Sequence, residues 1–129
     1  MNDILTPISP GELLDKLTIL QIKSEKITDV DKLANVNNER AALQSVADAN
    51  IPRTDAMQVL KSALLEVNKQ LCVIEDDIRD CERSGNFGDK FIRLARAIYI
   101  TNDKRADLKK QVNLTLGSTL IEEKSYADY

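Results

Sequence analysis

The sequence predicts an all-α protein, and three observations lead to that prediction. Long stretches carry apolar side chains at alternating spacings of three and four, which is the pattern of one helix face. Capping residues stand in front of these stretches, and segments with glycine or proline separate them. The order of the stretches predicts a helical-bundle-like arrangement of a long antiparallel hairpin, about 55–83 and 89–116, packed with a shorter N-terminal hairpin, about 10–27 and 30–48.

The first helix begins in the segment ISPGEL. Ser9 is placed as the N-cap, Pro10 as the first helical residue, and Glu12 at the third helical position completes a capping box. Leucine and isoleucine residues at helical spacing continue to Ile27, where we expect the helix to end.

The second helix follows a cap supplied by Thr28 or Asp29. Pro52 disfavours helical backbone for the residue before it, so we expect the main break of the chain there. Thr54 then caps the third helix. The apolar positions of the second helix are Leu33, Val36, Leu43 and Val46.

The third and fourth helices carry the longest apolar seams, and these predict the long hairpin. The third helix stops at the turn SGNFGD, and Gly117 is placed as a glycine cap after the fourth. The seam of the third helix is Met57, Leu60, Leu64, Val67, Leu71, Ile74, Ile78 and Cys81. The seam of the fourth helix is Phe91, Leu94, Ile98, Thr101, Arg105, Leu108, Val112 and Thr115.

A polar layer interrupts the fourth helix at its midpoint. Thr101 and Arg105 occupy seam positions, and Asn102 lies beside them. The second helix repeats the pattern Asn-x-x-Arg-Ala-x-Leu with Asn37 and Arg40, which indicates either chance or two equivalent polar layers. Asn102, Arg105 and Arg40 are therefore the candidate ligand-binding residues.

Three interpretations of Arg105 and Arg40 stay open at this point. The arginines either extend their charged heads to water, or form buried pairs that fix the packing register, or clamp an anion such as a carboxylate or phosphate. The acids that are nearest in sequence and are candidate partners are Glu66, Glu39 and Asp103.

Metal binding and catalysis have weak signals. Asp76 and Asp80 lie one helical turn apart in the segment EDDIRD, where a hard divalent cation is one interpretation and a solvated face paired with neighbouring arginines is the other. All-helical nucleotide pyrophosphatases hold magnesium with two acidic motifs on neighbouring helices. Only Glu12-x-x-Asp15 and EDDIRD are available here, so we predict no catalytic residue and no cofactor.

Composition excludes several functions. The chain of 129 residues fits a single domain over 1–129, with a short tail at 118–129. It has a net charge of −3, no His or Trp and five other aromatic residues, which disfavours nucleic-acid binding and His-containing metal sites. Cys72 and Cys81 lie nine positions apart on one predicted helix, too far for a disulfide. The opening segment MNDILTPISP lacks the features of a signal peptide, and no apolar run is long enough to span a membrane, so we expect a cytoplasmic protein.

Apolar strips on the flanks of the long hairpin predict a homodimer, because helices one and two are too short to cover both flanks. One strip is Val59, Leu65, Cys72 and Val73, and the other is Ile92, Ala95 and Tyr99.

The tail GSTLIEEKSYADY mixes apolar and charged residues. Docking on its own domain or its dimer mate is one interpretation, and a peptide ligand for another protein is the alternative.

Five segments carry a resemblance to a known family. They are ISPGELLDKLTIL, LANVNNERAAL, IEDDIRDCE, FIRLARAIYITNDKRADLKKQVN and LIEEKSYADY. Together they resemble a family of small bacterial proteins classed as a domain of unknown function, over nearly the whole chain except the region around 48–65. The resemblance implies that the polar layer is a family feature. It brings no assigned reaction, and it implies at most a helper role in cell-surface polysaccharide pathways.

We therefore predict a non-enzymatic interaction or scaffold module. The alternative is a small-anion-binding protein or a metal-dependent enzyme that uses Arg40, Asn102, Arg105 and the carboxylates of helix three. Convergence of these side chains on one closed polar pocket would favour the alternative.

Overall fold

A computed structural model describes all 129 residues and contains four α-helices joined by short loops. They are α1 (Pro10–Lys26), α2 (Val30–Asn50), α3 (Asp55–Ser84) and α4 (Asp89–Thr115). The predicted all-α class and the pairing into two hairpins are confirmed. The second helix continues to Asn50, two residues beyond the predicted end, because helical backbone is disfavoured only at Ile51, immediately before Pro52. None of the four helices combines the length and apolar character needed to cross a bilayer.

The helix starts follow the predicted caps with one correction. Ser9 Oγ accepts a hydrogen bond from the Glu12 backbone at 3.2 Å, and Thr54 Oγ1 accepts one from Met57 at 3.2 Å. Asp29, and not Thr28, caps α2. The second half of the predicted capping box is wrong, because the Glu12 carboxylate pairs with Lys109 Nζ at 2.6 Å instead of returning to Ser9.

Two glycines end the long helices. Gly85 has φ of 69° and Gly117 has φ of 66°, a left-handed backbone that glycine adopts without a steric cost from Cβ. After Gly117, the Ser118 amide donates to the Asn113 carbonyl at 2.9 Å, which satisfies a carbonyl at the end of α4. The glycine cap predicted at position 117 is therefore confirmed.

Helix α1 occupies the centre of the domain. It packs against each of the other three helices, α3 and α4 pack along each other, and α2 approaches α1 alone. The core cluster consists of Leu13, Leu14, Leu17, Ala47, Met57, Leu64 and Val112. Thr115, predicted on the seam of α4, is exposed, and Leu116 packs against this core instead. A straight α-helix drifts away from a strict heptad repeat, so a seam extrapolated over four heptads misses its last position.

Gly11 sets the distance between α1 and α4. A Cβ atom built at Gly11 would lie 2.3 Å from the Lys109 carbonyl oxygen, so only glycine fits there. The Gly11 amide also donates to Asn113 Oδ1 at 2.7 Å. This bond satisfies one of the free amides at the start of α1.

The long hairpin continues past the end of α1. Helix α1 has 17 residues and α3 has 30, and Lys26 Nζ at the end of α1 lies 3.9 Å from Asp76 Oδ2 in the last third of α3. We define the hairpin end as residues 73–99, in which Cys81 is the only buried residue. Among the predicted flank strips, Leu65, Cys72 and Ala95 are half-buried, whereas the exposed members are Val59, Val73, Ile92 and Tyr99.

Candidate functional site

A buried carboxylate lies at the centre of the domain. The side chain of Asp15, on α1, is 1% exposed. Arg105 from α4 holds it with two hydrogen bonds, from Nε to Oδ1 at 2.9 Å and from Nη2 to Oδ2 at 2.6 Å. Asn68 from α3 adds a third bond, from Nδ2 to Oδ1 at 2.9 Å. Three helices are thus joined through a single carboxylate.

Thr18 extends this network by one helical turn. Its hydroxyl donates to the Asp15 carbonyl at 2.7 Å and accepts from Asn68 Nδ2 at 2.9 Å. Gly11, Asp15 and Thr18 follow one another at spacings of four and three, so they lie on the same face of α1. That face meets α3 and α4 with polar groups, whereas the leucine face forms the apolar core.

The charges in this network are matched. Burial raises the pKa of Asp15, but the hydrogen bonds from Arg105 and Asn68 outweigh burial, and the net pKa is lowered. The hydrogen bond to Asp15 raises the pKa of Arg105. Asp15 therefore stays ionised at neutral pH. A carboxylate that is held in this way is a poor general acid or base.

A second ion-pair cluster lies one turn further along α4. Lys109 Nζ contacts Glu12 at 2.6 Å and Glu122 at 3.0 Å, so it links α1, α4 and the tail. Burial lowers the pKa of Lys109, and the hydrogen bonds to Glu12 and Glu122 raise it by more. Lys109 is therefore charged throughout the physiological range, as expected for a structural ion pair.

The predicted site residues separate into two places. Asn102 and Arg105 line a groove between α1, α3 and α4 with a volume of about 450 Å³. Arg40 lies elsewhere, where its Nη1 donates to Ser24 Oγ of α1 at 3.2 Å. The two arginines of the sequence echo thus do not share a pocket. Arg105 has the geometry of the second interpretation, a buried pair that joins helices.

The acids predicted as partners for the arginines were wrong. Glu66 and Glu39 make no ion pair, and Asp103 pairs with Lys124 of the tail. The actual partner, Asp15, lies 90 positions before Arg105. Glu39 and Glu66 face water and Asp103 pairs with the tail, whereas the buried acid comes from a distant helix, α1.

The acidic segment of α3 is paired with bases. Asp76 lies near Lys26, Asp80 forms an ion pair with Arg83, and Glu75 forms one with Arg79. No group of three or more acidic or cysteine side chains is arranged to hold a metal ion. The geometry around the weak candidates Asp76 and Asp80 is that of a solvated, salt-bridged helix face.

Sequence reasoning missed most of the central network. Asp15 entered only as part of an acidic motif, and Asn68, Thr18 and Asn113 were not singled out. The signal available for Asp15 was its position between Leu14 and Leu17, where helical spacing predicts burial. Asn68 and Asn113 each follow a seam valine directly, and sequence patterning gives no indication that these neighbours are also buried.

The tail folds back along α4. Lys110 pairs with Glu123 at 3.2 Å, Lys124 pairs with Asp103, and the rings of Tyr99 and Tyr129 meet edge to face at 5.3 Å. Hydrogen bonds from Lys124 and Tyr129 lower the pKa of Asp103. The tail is therefore held mainly by exposed ion pairs, which contribute little individually.

Fold and site together define a small four-helix domain in which three helices are joined through a buried, fully paired carboxylate. No model of a known protein family matches the chain, and comparison with curated proteins and with solved structures gives no match.

Proposed function

We propose that the protein is a non-enzymatic interaction or scaffold module that acts as a homodimer through its hairpin end. One observation carries this proposal. The hairpin end extends past α1 and exposes the side chains of Phe87 and Ile92 to solvent, and Val73 and Tyr99 are exposed at its base. Large apolar side chains grouped on one projecting element favour a protein contact.

Charge complementarity favours a second copy as the partner. Residues 76–84 of α3 carry four acids and two arginines, a net charge of −2. Residues 89–97 of α4 carry three bases and one acid, a net charge of +2. In a two-fold symmetric dimer, the α4 surface of each protomer faces the α3 surface of the other. Surfaces of opposite net charge then face each other around the apolar side chains.

The chemistry of the central network supports a non-enzymatic role. The charge of Asp15 is matched by Arg105, and Arg40 lies on a different helix interface. These positions leave no pair of free arginines to clamp a phosphate or carboxylate. The resemblance to a bacterial domain of unknown function, with a helper role in cell-surface polysaccharide pathways, belongs to the same proposal. So does a cytoplasmic location, which the unpaired Cys72 and Cys81 favour.

Sedimentation equilibrium at micromolar concentration tests the proposal. The wild-type chain should sediment at twice its mass of 14.5 kDa. Ile92→Asp places an unpaired charge in the contact and should give a monomer. Leu114→Asp is the matched control, because Leu114 is 60% exposed near the end of α4, outside the hairpin end. A wild-type chain that sediments only as a 14.5 kDa species contradicts the proposal, as does an Ile92→Asp variant that stays dimeric.

A further inference from the structure

The groove beside the central network is lined by a nearly buried residue, and one polar atom of that residue has no protein partner. Asn68 is 3% exposed and lines this groove between α1, α3 and α4. Its Nδ2 atom donates to Asp15 Oδ1 and to Thr18 Oγ1, both at 2.9 Å. The Thr18 hydroxyl uses its proton on the Asp15 carbonyl, so both neighbours of Nδ2 are acceptors. This pattern fixes the orientation of the Asn68 amide.

The fixed orientation turns Asn68 Oδ1 toward the groove. No group of the protein donates a hydrogen bond to this oxygen, and no side-chain oxygen or nitrogen is both fully enclosed and without a partner. Oδ1 is thus an acceptor that opens onto the groove. A nearly buried acceptor costs free energy unless a donor reaches it.

Possible donors line the same groove as this acceptor. Arg105 and Asn68 bind the same oxygen of Asp15, so the guanidinium and the amide are neighbours. Arg105 uses Nε and Nη2 for Asp15, and its Nη1 makes no hydrogen bond within the protein. Asn102 on α4 lines the same groove, and its side-chain amide is also free of protein hydrogen bonds. The groove therefore offers Asn68 Oδ1 as an acceptor and Arg105 Nη1 as a donor. The side-chain amide of Asn102 can both donate and accept.

The charges around the groove cancel. Lys26 lies near Asp76, Arg79 pairs with Glu75, and Arg105 pairs with Asp15. A phosphate or carboxylate would compete with these acids for the same bases. A hydroxyl group donates one hydrogen bond and accepts others, and it rotates to suit its partners. Adjacent hydroxyls on one molecule match the free atoms of Asn68, Arg105 and Asn102.

We propose that this groove binds an uncharged polyol whose neighbouring hydroxyls donate to Asn68 Oδ1 and accept from Arg105 Nη1 and Asn102. The volume of about 450 Å³ accommodates a small molecule of monosaccharide size. This site goes beyond the proposed interaction role, and its function does not depend on dimer formation.

Titration followed by nuclear magnetic resonance tests the assignment, with myo-inositol and D-glucose as probes and phosphate as the anionic control. The side-chain amide signals of Asn68 and Asn102 should shift in a saturable way at millimolar polyol and stay in place with phosphate. The same shifts should occur in the Ile92→Asp variant, which separates this test from the dimer. If no probe shifts these signals, or if phosphate alone does, the assignment is overturned.

Two variants locate the binding. Asn102→Ala removes one hydrogen bond and should weaken polyol binding by about five-fold, since one net hydrogen bond corresponds to about that factor. Asn38→Ala on the exposed face of α2 is the matched control and should bind like the wild type. Cys72→Phe fills the groove from its half-buried wall position and should abolish binding while the circular dichroism spectrum stays helical. Wild-type affinity in either groove variant overturns the proposal.

Discussion

Arg105 holds Asp15 with two hydrogen bonds across 90 positions of sequence, from α4 to the buried centre of α1. The arginine side chain is 29% exposed and the aspartate side chain is 1% exposed. Burial of a charge in this way costs free energy that only a well-aligned partner offsets. We therefore expect the pair to contribute more to the choice of helix register than to net stability.

Arg105→Leu removes the partner of a buried carboxylate. We expect unfolding free energy to fall by about 3–5 kcal/mol, which urea denaturation monitored by circular dichroism measures. Lys104→Leu, at an exposed position on the same helix outside the hairpin end, is the control and should change it by less than about 0.5 kcal/mol. An Arg105→Leu variant as stable as the wild type would show that the charged head of Arg105 only extends into solvent. The double variant Asp15→Leu with Arg105→Leu should recover part of the loss, because no charge is then left unpaired.

The lowered pKa of Asp15 predicts a specific acid sensitivity. A carboxylate with a folded-state pKa below its unfolded value stabilises the protein above the unfolded value of about 3.9. That contribution is lost as pH falls through the folded-state pKa. Urea midpoints measured from pH 7 to pH 2 should therefore fall more steeply below about pH 4 in the wild type than in Asp15→Asn. If the urea midpoint falls with pH equally in the wild type and in Asp15→Asn, other carboxylates control acid unfolding.

Gly11→Ala tests the close approach of α1 and α4. Alanine favours helix formation over glycine, yet its Cβ would lie 2.3 Å from the backbone oxygen of Lys109. We expect a net loss of about 1–3 kcal/mol, seen as a lower melting temperature. Gly88→Ala is the matched control, since the nearest atom to its Cβ is Asn86 Oδ1 at 3.5 Å. Equal melting temperatures for both variants would contradict the observed contact.

Ser9→Ala tests the N-cap of the central helix. Loss of the bond from Ser9 Oγ to the Glu12 amide should reduce stability by about 0.5–2 kcal/mol. Ser45→Ala, exposed on α2, controls for loss of a hydroxyl elsewhere and should leave the melting temperature unchanged. An unchanged melting temperature for Ser9→Ala would place the functional start of α1 at another residue.

Local signals predicted the helices well because caps, glycine ends and apolar spacing act over a few residues. The caps at Ser9, Thr54 and Gly117 were predicted from such local signals, and so were the two hairpins. The central network depends on contacts between distant parts of the chain. The sequence placed Arg105 on the seam of α4, but it indicated neither that α1 would supply Asp15 nor that Asn68 would lie beside the seam. Composition and spacing describe one helix at a time, and which acid meets which base depends on how three helices pack.

The central position of α1 has a consequence for the order of events during synthesis. Helix α1 is made early, but Arg105 follows Asp15 by 90 residues. At roughly 5–20 residues per second, the ribosome needs roughly 5–20 seconds to supply that partner. During this interval α2 is the first neighbour that α1 can reach, and the face that will meet α3 and α4 is in water. Asp15 is hydrated and charged on that face, so we expect the carboxylate to keep the nascent hairpin soluble until α4 arrives to bury it.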